Sequence, residues 1–328
     1  MKEMYRLLKP IGRVNNYKIA AKHSNHIFQV APYNAANKIL RKNFSSNSSG
    51  SDDFRNKHYQ SLQYLMGSLA VFGVTSFAVI ENHSRSKAFV QAGADGNISQ
   101  LSAALSFWVN VNTKDDAGNT ALHMAVANGK RGAVEFLLEN AALVNEKNND
   151  GDTALILAAA KGDSQTIKYL IENHARLNDA NNKGQSAITA AVINHNIPAV
   201  KALVEAKRID KLKLDKVDVN FADANGNTPL ILAVKDGSLS IASILLERDD
   251  INLNAVNKDG YTALIEAAIK GDLPILNKIA NQKRVNLLQT DDNAKNALLI
   301  AIDKGQYDAA KLLATKKHLK NLLHLQRG

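Results

Sequence analysis

The sequence predicts an all-α solenoid of stacked antiparallel helix pairs with hairpin-like loops, preceded by a flexible basic leader and a single hydrophobic helix. Three observations predict it. Glycine recurs at near-constant intervals: Gly118, Gly151 and Gly184 lie 33 residues apart, Gly226 follows after 42 and Gly260 after 34, and Ala294 holds the same place after another 34. Two residues after each stands a short signature, from Thr120-Ala121-Leu122-His123 through Thr228-Pro229-Leu230-Ile231 to Asn296-Ala297-Leu298-Leu299. The excess positive charge and the longest uncharged run both lie ahead of this array, in the first 80 residues.

Composition removes several function classes. The 328 residues carry a formal net charge of +10. Nine bases and the single acid Glu3 make residues 1–51 alone +8, so the remainder is only +2. A body this close to neutral is unsuited to tracking nucleic-acid phosphates, and an aromatic content of 5% is too thin for stacking on bases. The absence of cysteine excludes disulfides, thiol catalysis and Cys-ligated metals.

The leader, 1–44, is basic, rich in Asn and Ser, and nearly free of acids. Met4, Leu7, Leu8 and Ile11 fall at helical spacing, with Arg6, Lys9 and Arg13 on or near the other face. This pattern resembles a mitochondrial transit peptide, and Arg41-Lys42-Asn43-Phe44-Ser45-Ser46 resembles a matrix processing site. Pro10 and Gly12 weaken the helix, and a disordered basic tail is the alternative. A linker, 45–58, follows. The 22 residues from Tyr59 to Ile80 carry no charge. As a helix they would run about 33 Å, enough to cross a hydrocarbon core of about 30 Å. Residues 59–82 are therefore expected to form a transmembrane or hydrophobic helix giving single-pass membrane association. Their Gly, Ser and Thr content leaves a helix packed on the repeats, or an interaction segment, as alternatives.

Residues 83–117 read as a degenerate N-terminal cap repeat, with Phe89, Ala92, Gly96, Leu101, Leu105 and Val111-Asn112 at the array's offsets and Trp108 covering the edge. Residues 118–328 hold the repeats and a C-terminal cap helix from Tyr307. Within each unit the first glycine permits positive φ at a tight turn, and the Thr is placed to cap the first helix. Leu122, Ala125 and Val126, then Val134, Leu137 and Leu138, put apolar residues on facing sides of two helices. A second glycine, eleven residues after the first, separates them at Gly129, Gly162, Gly237, Gly271 and Gly305, with His195 at that place in the third unit. The 42-residue interval contains an insertion, roughly Lys207 to Lys216, with five bases and two acids, expected to be a loop.

Six signatures in register with a second glycine resemble the ankyrin repeat family, over about six to seven repeats in residues ~85–315. The resemblance implies a non-enzymatic scaffold or adaptor that recognises protein through the hairpin tips and the exposed side of the first helices. Carried over by position, the tips are Asn119, Asp152, Gln185, Asn227, Tyr261 and Lys295. The helix positions include Asn128, Lys161, Asn194, Lys235, Asp236, Lys270, Asp303 and Lys304. Lysines 161, 235, 270 and 304 stand at nearly one level, which suits an acidic peptide or surface, while Asp236 and Asp303 dilute that charge. Tyr261 is the best single anchor, since tyrosine gives large contact area at low entropic cost.

Nothing in the sequence supports catalysis. Phosphate loops, dinucleotide turns and HExxH are missing, so no cofactor, metal or small-molecule substrate is expected. An EF-hand loop fails: Gly151 or Gly226 at its sixth position puts Leu157 or Leu232 where a glutamate is required, and Gly260 puts Ala255 at the first ligand. The expected setting is a mitochondrial membrane, the inner one by analogy with proteins arrested during import. The alternatives are an effector of an intracellular bacterium acting in host cytoplasm, and a soluble cytosolic binder.

Overall fold

Neighbouring units are joined by side chains that reach across in both directions, and this dictates the architecture. A computed structural model describes residues 77–107, 109–210 and 213–325. They form seven helix pairs: α1 (Phe77–Asp95) and α2 (Ile98–Ser106), α3 (Ala121–Ala127) and α4 (Arg131–Glu139), α5 (Ala154–Lys161) and α6 (Ser164–Glu172), α7 (Ala187–Ile193) and α8 (Ile197–Glu205), α9 (Pro229–Lys235) and α10 (Leu239–Leu246), α11 (Ala263–Lys270) and α12 (Leu273–Ala280), and α13 (Ala297–Asp303) and α14 (Tyr307–Leu325). First helices pack side by side in one layer and second helices in the other. The leader, the linker, residues 59–76 of the expected hydrophobic helix, and Trp108 lie outside the described residues. Among the described residues no helix is long and apolar enough to cross a membrane.

Close approach of the first helices depends on alanine. Ala125, Ala158, Ala191, Ala233, Ala267 and Ala301 are all completely buried, one per unit. Leu122, Leu155, Ile188, Leu230 and Leu264 lie beside them, and Leu137, Leu170, Leu203, Leu245 and Ile279 come from the second helices. One continuous core results, which no single pair could build. The side chains of Thr120, Thr153, Thr228, Thr262 and Asn296 accept from the backbone N–H three residues on, as expected of caps. Ser186 departs: its side chain makes no such bond, and the Thr189 hydroxyl donates to the Ser186 carbonyl instead.

One helix spans the expected start of the cap repeat. Helix α1 starts at Phe77, so the expected boundary between 82 and 83 falls inside one helix. Asn82-His83 contains neither proline nor glycine, and nothing there interrupts helical hydrogen bonding. The insertion differs too. Instead of a loop it forms an antiparallel ribbon, β1 (Lys207–Asp210) with β2 (Lys213–Lys216), pairing Lys207 with Lys216 and Ile209 with Leu214. Single apolar residues alternating with charged ones have the period of a strand, not of a helix.

The ribbon leaves the stack in register because Asn178 reaches past it. Its amide donates to the Lys216 carbonyl (3.2 Å) and its Oδ1 accepts from the Asp218 N–H (2.8 Å). Asn145, Asn220 and Asn254 make the same pair of bonds to their own successors. At the ribbon's base Arg248 grips Asp250 with two nitrogens (2.9 and 2.8 Å) and donates to the Val204 carbonyl near the end of α8 (3.0 Å). Lys216 adds a bond to Asp250 at 2.6 Å. The Arg248 guanidinium, with Lys216, holds the Asp250 carboxyl far below the usual carboxylate range.

The second-glycine position carries a testable strain. His195 holds φ of 55° there, and Ala294 holds 60° at the first-glycine position. Left-handed backbone costs a side-chain-bearing residue about 1–2 kcal/mol, partly offset by the greater entropy glycine loses on folding. His195→Gly and Ala294→Gly are each expected to raise stability, by up to about 1 kcal/mol, read as a higher urea midpoint.

Candidate partner-binding face

The tips and first-helix ends form one edge of the array, and most of their side chains first serve the stack. Three residues before each first glycine or Ala294 stands Asp or Asn: 115, 148, 181, 223, 257 and 291. Each accepts, through one side-chain oxygen, from the N–H groups two and four residues on, which shapes the turn. Where it is Asn, its amide also donates to the preceding tip: Asn148 to Asn119 (3.0 Å), Asn181 to Asp152 (2.8 Å), Asn257 to Asn227 (3.0 Å). Asn119, Asp152 and Asn227 thus join hairpin to hairpin. Gln185 accepts from Asn181 at 3.2 Å. This Asx row was missed in the sequence reading, although its recurrence with the turn period is a legible signal.

The lysine level is likewise engaged. Lys161 donates to the Ala127 carbonyl at the end of α3 (3.1 Å), and Lys270 to the Lys235 carbonyl at the end of α9 (2.5 Å). Each is a cation at the C-terminus of its neighbour's helix, where the backbone dipole favours it. Asn196 does the same work for α5, donating to the Ala160 carbonyl (2.5 Å). Lys235 turns instead to Glu266, 3.5 Å away. Glu266 is only 7% exposed and is also met by the Asn257 amide at 3.4 Å. Lys295 pairs with Asp303 at 2.5 Å, and that carboxylate raises the ammonium's pKa above its ordinary value. Asn128, Asp236 and Lys304 are exposed at the ends of α3, α9 and α13. Tyr261 is half-buried, its ring packed against the core.

His123 is 2% exposed and fully committed within the array. The Thr120 N–H donates to Nδ1 (3.1 Å), so the proton sits on Nε2, which faces the carbonyls of Glu146 and Asp152 at 3.0 Å each. Burial lowers its pKa, against the raising effect of those two carbonyls. The folded state therefore excludes a proton that the unfolded chain takes up below about pH 6.5. This contribution is complete above that pH and is lost as acid is added toward the depressed folded value, by at most about 1.4 kcal/mol per pH unit. Urea midpoints between pH 7.5 and 5.5 should fall more for the native chain than for His123→Gln; equal slopes would exclude this origin.

Among the described residues no three or more His, Asp or Glu side chains are grouped to hold a metal ion. The model of the family "Ankyrin repeats (3 copies)" matches residues 88–183, 142–215, 158–255, 209–287 and 251–323. Among solved structures, the ankyrin repeat domain of Bcl-3, a member of the IkappaB protein family, is similar at 23% identity and a TM-score of 0.59. That match covers 68% of this chain and 97% of that one. No curated protein matches the sequence.

Proposed function

The chain belongs to the ankyrin repeat family, and from that premise we propose that it is a non-enzymatic adaptor that holds a protein partner on the edge formed by its hairpin tips and first-helix ends. One observation carries this: the core is closed within the array, while Asn128, Asp236, Lys270 and Lys304 stand exposed along the edge that the hairpin tips and first-helix ends share. Lys161, Lys270 and Lys304 line that edge with basic side chains, which favours a partner segment bearing acids. Tyr261, half-buried, offers the flank of its ring as an anchor.

We also propose a mitochondrial membrane as its setting, the basic leader directing import and Tyr59–Ile80 holding the chain there. The support is the acid-poor +8 leader and the 22 uncharged residues that follow. Two measurements on the full chain test these readings separately. Capture from lysate should fall at least about tenfold on combining Tyr261→Ala with Lys→Glu at 161, 235, 270 and 304; undiminished capture of every partner would refute the binding edge. Carbonate extraction should leave the protein with the membranes and its mature N-terminus should lie near residue 45. A retained Met1 with full release would remove both the import and the anchor.

A further inference from the structure

Turn-to-turn bonds recur along the hairpin edge and fail where the ribbon enters. The Asn149 N–H donates to the Ala117 carbonyl (3.0 Å), Asn182 to Asp150 (2.9 Å) and, beyond the ribbon, Lys258 to Asn225 (2.9 Å). The side-chain amides of Asn149 and Asn182 add bonds to the Asp116 and Asn149 carbonyls (3.0 and 2.9 Å). At the seam between α8 and α9 the Ala224 N–H stands 3.4 Å from the Lys183 carbonyl, past the ordinary range, and alanine has no amide to add. Asp223 spends its oxygens inside its own turn, on the Asn225 and Asn227 N–H groups and the Asn227 amide, and sends nothing back to Gln185. Asp236 holds the place of Lys161 and Lys270, and Ser238 that of Asn196; among the described residues neither side chain bonds to the end of α7. Asp291 likewise sends no amide back from the α13 unit.

We propose that this seam is a hinge: α1–α8 and α9–α12 move as two bodies that part at the hairpin edge and stay latched on the ribbon side. The latch is Asn178, bonded to the Lys216 carbonyl and the Asp218 N–H, together with Arg248 on the Val204 carbonyl. Links kept on one side and lost on the other define an axis of rotation, with the buried core as the yielding contact. The second-glycine position records the same loss independently. A Cβ at Gly129 would lie 2.9 Å from Lys161 Cε, and one at Gly162 2.7 Å from Asn196 Oδ1, so glycine clears the path of the side chain that finishes the helix. The unit ahead of the seam carries His195 there, where no such side chain arrives. The hinge stands whether or not the edge binds a protein.

The chain has no cysteine, so nitroxide labels on introduced cysteine pairs read distances in the full-length protein. Asp150→Cys with Asn225→Cys crosses the seam on the hairpin edge, and Ala117→Cys with Lys183→Cys crosses two fully linked junctions; all four residues are exposed. The distance distribution across the seam should be at least about twofold broader than the reference. Glu172→Cys with Glu247→Cys, exposed at the ends of α6 and α10, should stay as narrow as the reference. Restoring the links with Asp223→Asn, Ala224→Asn, Asp236→Lys and His195→Gly together should narrow the seam to the reference. Equal widths for seam and reference in the native background would overturn the hinge, and that comparison holds even if the restored variant does not fold. Broadening at 172 and 247 as well would mean full separation of the bodies. A folded restored variant whose seam stays broad would mean that these links do not set the motion. Either result also overturns the proposal.

Discussion

Replacing Leu203 with alanine is expected to cost about 2–5 kcal/mol, the largest effect of any single change considered for this chain. Leu203 is wholly buried on α8, among the second helices and directly ahead of the ribbon. Three lost carbons forfeit their transfer free energy and leave a cavity. The surrounding helices are held on both sides by other units and cannot collapse into it. Because stability in a stack is a sum of unit and interface contributions, the loss should fall on both junctions that α8 makes, with α6 and α10. Urea unfolding followed by circular dichroism should show a transition at lower denaturant, split into two steps as the halves uncouple. A single transition shifted by less than about 1 kcal/mol would mean that the third unit is not packed as described.

Asn178→Ala should follow at about 1–3 kcal/mol, for a different reason. The change removes little apolar surface. It leaves the Asp218 N–H and the Lys216 carbonyl without the side chain that spans the ribbon. Asn145→Ala breaks the same kind of bonds where no insertion intervenes, so comparing the two isolates the ribbon's contribution. Hydrogen exchange should rise selectively at 216–220 in the Asn178 variant. Unchanged protection there would show that the Arg248–Asp250–Lys216 cluster alone holds the base.

Periodicity exposed what repeats and hid what each residue faces. The turns, the caps at Thr120, Thr153, Thr228 and Thr262, and the small alanines could be read because each is dictated by its own helix or turn. The assignments at the binding edge were harder. Lys161 and Lys270 look like a solvent-facing row in one dimension, yet each bends onto a carbonyl 34 or 35 residues earlier, a relation that local pattern does not encode. The ion pair of Glu266 is hidden for the same reason, since its partner Lys235 belongs to the preceding unit. The ribbon was legible in principle through its alternating residues, but nine of its ten positions are charged or leucine, and that composition favours no single state.

The side chains that finish first helices reach back along the chain, whereas the ladder asparagines 145, 178, 220 and 254 reach forward. Lys161 finishes the helix ending at Ala127, Asn196 the one ending at Lys161, and Lys270 the one ending at Lys235. During synthesis the newest unit to leave the ribosome would therefore hold bare carbonyls at its first helix until some 35 more residues have emerged. At these three helices ordering would trail translation by one period, and a ribosome stalled within that period would hold an unfinished helix end.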